Sequence, residues 1–195
     1  MEFLPNISND DIQNLPLFSY EGEVVVVDDI AKFNQIKMEL FLENIWGFDT
    51  ETKPCFQKGV ANSQAVSLLQ LSSREKTYLF RLNKMPIPKE LIAFLSSPKF
   101  IKIGVALKDD VKALKKLHSF EPQGFVDLQD LVKEFKIEDF GLKKMAAIVL
   151  GTRISKAQQL SNWEAIELND KQIKYAATDS WISREIYIAL IKSRY

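Results

Sequence analysis

Two hydrophobic periodicities alternate along the chain and predict a mixed α/β fold. Short apolar runs bounded by polar or turn residues predict strands at 23–27, 45–51, 65–72, 76–82 and 100–105. Apolar residues at helical spacing predict helices at 28–44, 88–96, 107–120, 141–151 and 169–191, with a short extended piece passing into a helix at 125–135. Hairpin-linked strands followed by strand–helix alternation indicate a mixed central sheet with helices on both faces.

The domain organisation follows from the same pattern. Residues 1–22 carry Pro5, Pro16 and Gly22, and we expect them to form an irregular lead-in. The remaining residues, 23–195, contain no repeat or long linker, and the length suits one domain with a substantial core. We therefore predict a single α/β domain over 23–195.

Composition and charge narrow the functional classes. Apolar residues make up 46% and charged residues 27%, which is typical of a soluble globular protein. Lys+Arg and Asp+Glu both number 26, so a polyanion would need a local basic patch or a bound metal. The sequence shows no signal-peptide pattern and no apolar run long enough to span a bilayer, and its one cysteine, Cys55, excludes an intrachain disulfide. We expect a cytoplasmic protein without membrane association.

The first candidate site is a pair of carboxylates at the end of an apolar strand. Asp49 and Glu51 are two residues apart, so both side chains leave the same face of the strand. Two adjacent, partly buried carboxylates repel each other unless a cation or a shared proton lies between them. The pair therefore predicts a site for Mg²⁺ or Mn²⁺, although two solvated acids explain it better when it is taken alone.

Two further segments carry acidic residues at defined places. In the last helix, Tyr175 and Asp179 are four residues apart and project from one face, as they also would in an ordinary amphipathic helix. At a strand–helix junction, Asp109 and Asp110 fall in the first helical turn, where the helix dipole alone favours acids. Each feature is ambiguous by itself, but the three could converge on one cleft.

Taken together and in order, these segments resemble the 3′–5′ exonucleases with four acidic residues and a tyrosine, the DEDDy group. The similarity is to the branch of ribonuclease D and the Werner-syndrome exonuclease domain, and it extends over about residues 23–191. It is carried by "FDTE", by "IGVALKDDVKAL", in which Asp109 is out of register, and by "LSNWEAIELNDKQIKYAATD". The catalytic residues that the resemblance implies are Asp49, Glu51, Asp110, Tyr175 and Asp179.

The resemblance implies an RNase H-like fold and a metal-dependent hydrolase. Two divalent cations, Mg²⁺ or Mn²⁺, would be held by Asp49, Glu51, Asp110 and Asp179, with Asp49 between them. Tyr175 would orient the attacking water rather than ionise, because a phenol is a poor base at neutral pH. The expected product is a nucleoside 5′-monophosphate removed from the 3′ end of DNA or RNA.

Contacts to the substrate are expected from two regions. Thr50 and Thr52 alternate with the acids and would act through backbone groups near the terminal nucleotide. Arg153 and Lys156 lie in a loop that can reach phosphates but equally suits plain solvation. Trp163 is either a stacking surface for a base or, as we favour, a hydrophobic anchor of that loop.

Other functions compete with an active exonuclease. A catalytically silent nucleic-acid-binding module on the same fold stays open, and so does an endonuclease, which Tyr175 argues against. A nucleophilic Cys55 assisted by His118 lacks any surrounding activating motif, and His118 is better explained as a helix C-terminal residue. Gln70, a polar residue in an apolar strand, is expected to be a hydrogen-bonded core amide.

Overall fold

One mixed sheet forms the centre of the protein. The computed structural model describes residues 2–52 and 65–194. Within them six strands are observed: β1 (Glu23–Val27), β2 (Ile45–Thr52), β3 (Val66–Ser72), β4 (Lys76–Arg81), β5 (Ile101–Gly104) and β6 (Phe125–Asp127). Their order across the sheet is β1-β4-β3-β2-β5-β6, with β3 antiparallel to β2 and β4 and the other pairs parallel. The mixed sheet predicted from the hydrophobic pattern is confirmed.

Helices cover both faces of the sheet. The α-helices in the described residues are α1 (Asn9–Gln13), α2 (Ile30–Ile36), α3 (Lys89–Leu95), α4 (Leu107–Leu117), α5 (Leu128–Leu131), α6 (Leu142–Leu150) and α7 (Asp170–Lys192). On one face, α2, α3 and α4 enclose an aromatic core that includes Trp46, Phe48 and Phe80. On the other face, α6 and α7 pack against β5. No helix in these ranges is long and apolar enough to cross a membrane.

Two predicted elements differ in the structure. The helix expected over 28–44 is only α2, capped by Asp29, whose Oδ1 accepts from the Lys32 N–H at 2.8 Å, and it is followed by a 3₁₀ turn at Glu39–Phe41. The turn buries Leu40 fully and brings the chain to the start of β2 within a few residues. The lead-in is also more ordered than predicted, since it contains α1 and the Phe18 ring stacks on Trp181 of α7 at 5.1 Å.

A glycine brings α7 unusually close to β2. A Cβ on Gly47 would stand 1.8 Å from the Ser180 carbonyl oxygen of α7, far inside van der Waals contact. The same face is joined by a hydrogen bond of 2.7 Å between the hydroxyls of Ser72 and Ser180. This close contact sets α7 directly over β2, the strand that carries Asp49 and Glu51.

Replacing Gly47 with Ala is therefore expected to destabilise the protein by about 3 kcal/mol, because the helix must move away from the sheet. Gly141→Ala is the matched control, since a Cβ there meets no atom within 4 Å. Urea unfolding of both variants measures the difference. Equal midpoints for the two variants would contradict the proposed close packing of α7 on β2.

Candidate active site

Three carboxylates from two elements converge at the end of β2. Asp49 and Glu51 project from the face of β2 that is covered by α7, and Asp179 of α7 lies above them. One carboxylate oxygen of each residue lies within 4.8 Å of the others. Gly47, two residues before Asp49 on the same face, permits this approach. The structure thus brings together three of the four predicted metal ligands in one cluster.

Burial makes the carboxylate cluster electrostatically unfavourable. Desolvation, followed by the charges of neighbouring acids, raises the pKa of Glu51 to about 10 and that of Asp49 well above its ordinary value. Desolvation also raises the pKa of Asp179 to about 7, against the opposing effects of the Tyr175 hydroxyl and the Lys156 ammonium. Such pKa values mean that the metal-free cluster holds protons that a cation would displace.

The cluster fits a hard divalent cation. Its donor atoms are all carboxylate oxygens, which Mg²⁺ and Mn²⁺ prefer. Asp179 Oδ1 is buried and has no hydrogen-bond partner among the described residues. A buried, unpaired acceptor beside two further carboxylates is costly unless positive charge is supplied.

Asp110 joins the site from the opposite flank of β2. It lies in the first turn of α4, and it accepts a hydrogen bond from the Thr50 hydroxyl. Desolvation raises the pKa of Asp110 to about 6, and its charge in turn raises the pKa values of Asp49 and Glu51. The preceding residue, Asp109, is exposed. Asp110, rather than Asp109, is therefore the acid of α4 that faces the site.

Tyr175 borders the cluster one turn before Asp179. Burial is the largest effect on its phenol, and the charges of Asp179 and Glu51 add to it, so the pKa of Tyr175 lies well above its ordinary value. The hydroxyl is therefore a hydrogen-bond donor and not a base at neutral pH. Trp163 supports the ring from behind, with the two ring centroids 6.0 Å apart.

A cleft of about 220 Å³ opens over these residues. Its walls come from β2, α6, α7 and the loop after α6, and the lining residues include Asp49, Glu51, Tyr175, Asp179, Lys143 and Lys156. Lys156 is exposed and Lys143 is half-buried. Two ammonium groups beside a carboxylate cluster suit a phosphate-bearing substrate held over metal ions.

The predicted substrate-binding residues lie in different surroundings. Lys156 and Thr50 line the cleft over the carboxylates. Thr50 also borders a second cleft of about 450 Å³, together with Thr52, Lys112 and Lys116. Arg153 is engaged elsewhere: its Nε donates to the Leu15 carbonyl at 3.0 Å.

The burial of Trp163 excludes the substrate-binding alternative and supports the hydrophobic anchor that the sequence analysis favoured. The side chain is 0% exposed, so its ring is not available for stacking on a base. It lies in a cluster with Leu68, Leu79 and Ala176 and packs against Tyr175. Trp163 is therefore an anchor that supports the site from behind.

Sequence reasoning missed two residues that shape the site. Arg81, at the end of β4, is buried and donates to the carbonyls of Ala165 and Ile166, which fixes the loop that follows Trp163. Asp127, at the end of β6, accepts from the backbone N–H groups of Ala106 and Leu107 at 3.1 and 2.9 Å and so fixes the start of α4. The sequence indicates these two residues only by their positions, because Arg81 and Asp127 are charged residues that directly end apolar strands.

The alternative nucleophile finds no support in the described residues. His118 is exposed, and its Nδ1 lies 2.9 Å from the Ser119 carbonyl oxygen just after α4. Cys55 lies outside the described residues.

The comparisons with known proteins identify the family. The sequence matches the 3′-5′ exonuclease family over residues 24–193. The chain therefore belongs to that family, as the resemblance implied.

Individual relatives agree with this assignment. The chain is 30% identical over 184 residues to the bifunctional 3′-5′ exonuclease/ATP-dependent helicase WRN of Mus musculus. The aligned region covers 89% of this chain and 13% of the WRN protein. The Nibbler EXO domain of Aedes aegypti superimposes with a TM-score of 0.79 at 26% identity, covering 90% of this chain and 91% of that domain. The EXD2 exonuclease domain soaked in Mn and Mg superimposes with a TM-score of 0.50 at 28% identity, covering 87% and 90%. The fold is RNase H-like, as predicted.

Proposed function

We propose that this chain is an active, metal-dependent 3′–5′ exonuclease that removes nucleoside 5′-monophosphates from the 3′ end of DNA or RNA. The observation that carries the proposal is the convergence of carboxylate oxygens of Asp49, Glu51 and Asp179 within 4.8 Å, in a cleft that Tyr175 also lines. Asp110 joins them through its hydrogen bond with the Thr50 hydroxyl. Family membership supports it, and so does the crystal structure of the related EXD2 exonuclease domain soaked in Mn and Mg.

Two divalent cations, Mg²⁺ or Mn²⁺, would be held by Asp49, Glu51, Asp179 and Asp110. When bound, they supply positive charge to the scissile phosphate as negative charge develops on its oxygens. By the family resemblance Asp49 would hold the central place, and the charges of Asp179 on α7 and Asp110 on α4 both act on it. The Thr50 N–H donates to Asp49 Oδ1 at 2.9 Å and holds that carboxylate in orientation.

The reaction is a hydrolysis, in which water forms a new bond to phosphorus while the bond to the 3′-oxygen of the penultimate nucleotide breaks. Tyr175 keeps its proton at neutral pH and would donate or accept a hydrogen bond that orients the attacking water. Lys156, at the mouth of the cleft, would bind a non-bridging phosphate oxygen. The leaving 3′-oxygen takes up a proton and becomes the new strand terminus.

A degradation assay tests the proposal. Strands of DNA and RNA labelled at the 5′ end are incubated with Mg²⁺, Mn²⁺ or EDTA. We expect a ladder that shortens from the 3′ end and disappears with EDTA. Salt-sensitive retention of the labelled strand by the protein, without any shortening, would instead favour the silent binding module. Internal cleavage of the strand would favour the endonuclease.

The adjacent acids of α4 offer a matched pair of variants for the same assay. Asp110→Asn is expected to lower the rate by at least about 10- to 100-fold, because it removes a carboxylate that would help to hold the cations, and loss of a group that only orients a ligand already costs this much. Asp109→Asn leaves the rate within about twofold, since surface changes of this kind are usually near neutral. An equal loss in both variants would show that α4 acts on the site through its overall charge and not through Asp110.

A further inference from the structure

Gln70 is a buried amide without an evident structural purpose. It lies in the middle of β3 and is 0% exposed. Neither its Nε2 nor its Oε1 has a hydrogen-bond partner among the described residues. An unpaired buried amide costs about 1–3 kcal/mol, so an apolar residue would serve the core better. The sequence-based expectation of a hydrogen-bonded core amide is thus not met among the described residues.

The register of the sheet places Gln70 beside the carboxylate cluster. Gln70 is directly opposite Asp49 in the antiparallel β2–β3 pair. Opposed residues project from the same face, with Cβ atoms about 4.5–5.5 Å apart. On the other side of Gln70, the opposing residue in β4 is the buried, apolar Leu79. Of its two neighbours across the strands, the carboxylate is therefore the one to which the amide can donate.

The contacts around Gln70 confine its side chain to this interface. Two residues away on the same face, Ser72 bonds to Ser180 of α7, and Leu68 on the other side packs in a cluster with Ala176. Helix α7 therefore closes over Gln70, and Asp179 Oδ1, on the same helix, is likewise buried without a partner among the described residues. The unpaired amide and the unpaired acceptor both border the proposed metal cluster.

We propose that Gln70 is a positioning residue for Asp49, whose amide donates to the Asp49 carboxylate when that carboxylate holds a divalent cation. Groups that hydrogen-bond to a metal ligand fix its orientation, and their loss commonly weakens metal binding by about 10- to 100-fold. A hydrogen bond to Asp49 would give the buried amide a partner and would offset the cost of burying it. This inference rests on the metal-dependent site of the proposed function.

The test replaces Gln70 with Met, which keeps an unbranched side chain and removes the amide. Mn²⁺ binding is measured by titration calorimetry, and thermal unfolding is followed in EDTA. We expect the Mn²⁺ dissociation constant to rise about 10- to 100-fold, while the melting temperature in EDTA is unchanged or higher by about 2–4 °C. Leu71→Met, on the opposite face of the same strand, controls for general disturbance of β3. Gln70→Leu provides a second apolar variant if Gln70→Met does not fold.

The outcomes separate this inference from the proposed activity. Unchanged Mn²⁺ affinity in Gln70→Met would overturn the positioning role, and so would a clear loss of stability in EDTA, which would reveal a purely structural amide. If the unmodified protein binds Mn²⁺ but degrades no strand, the exonuclease proposal fails while the metal-binding comparison still tests Gln70.

Discussion

Replacing Asp49 with Asn is expected to reduce degradation of a 3′ end by more than about 100-fold, because a direct ligand should matter more than the groups that orient it. The same change should raise the melting temperature of the metal-free protein. Asp49 is half-buried beside Asp179 and Asp110. Desolvation raises its pKa, and the charges of both acids raise it further. A neutral amide relieves that repulsion, so stability and activity move in opposite directions.

Single-turnover degradation of a 5′-labelled strand and thermal unfolding in EDTA measure the two effects on one preparation. Asp109→Asn, an exposed neighbour of the site, should alter neither. Degradation by Asp49→Asn at the unmodified rate would exclude Asp49 as a ligand. A lower melting temperature in EDTA would show that Asp49 stabilises the metal-free fold, contrary to its raised pKa.

Local periodicity was sufficient for the elements whose burial pattern is simple. β1 was predicted at its observed bounds, and α7, whose capping box joins Asn169 and Gln172, was predicted to within a residue or so at each end. The segment 28–44 was not, because helical spacing continues past Ile36 although the chain tightens into a 3₁₀ turn to reach β2. The end of that helix is set by the tertiary packing that brings the chain to β2, and the local sequence pattern does not contain this information.

The features of the candidate site also divide into those that local sequence predicts and those that tertiary packing decides. The period of two along β2 sufficed to place Asp49 and Glu51 on one face of the strand. Their proximity to Asp179 depends on the close packing of α7 on β2, and the sequence indicates that packing only through Gly47. Trp163 could be read as either a stacking surface or an anchor until its burial was known. Sequence reasoning undervalued Gln70, because its importance lies in the register of β3 against β2.

Metal-free protein is expected to lose stability as the pH rises from about 5 to about 8, and a divalent cation should reverse this trend. The pKa values of Asp110, Asp179 and Glu51 are raised to about 6, 7 and 10. The folded state therefore keeps protons that the unfolded chain has released, and its stability declines as the pH rises through these values. Acids with a lowered pKa, such as Asp139 beside Lys144, weaken the fold only at lower pH. The opposing effect of buried Lys102, whose pKa is lowered to about 8, grows above this window.

Thermal unfolding at about pH 5, 6, 7 and 8, in EDTA and in saturating Mn²⁺, measures both trends. In EDTA we expect the melting temperature to fall by about 5 °C or more across the range, because each kcal/mol corresponds to about 2–4 °C in a protein of this size. Cation binding requires ionised carboxylates and displaces their protons, so stabilisation by Mn²⁺ should increase with pH. Asp49→Asn should flatten both curves, since it removes a carboxylate with a raised pKa whose charge also raises the pKa of Glu51. A metal-free melting temperature that rises between these pH values would show that the carboxylates ionise freely, and that the cluster does not need a cation to hold its charge.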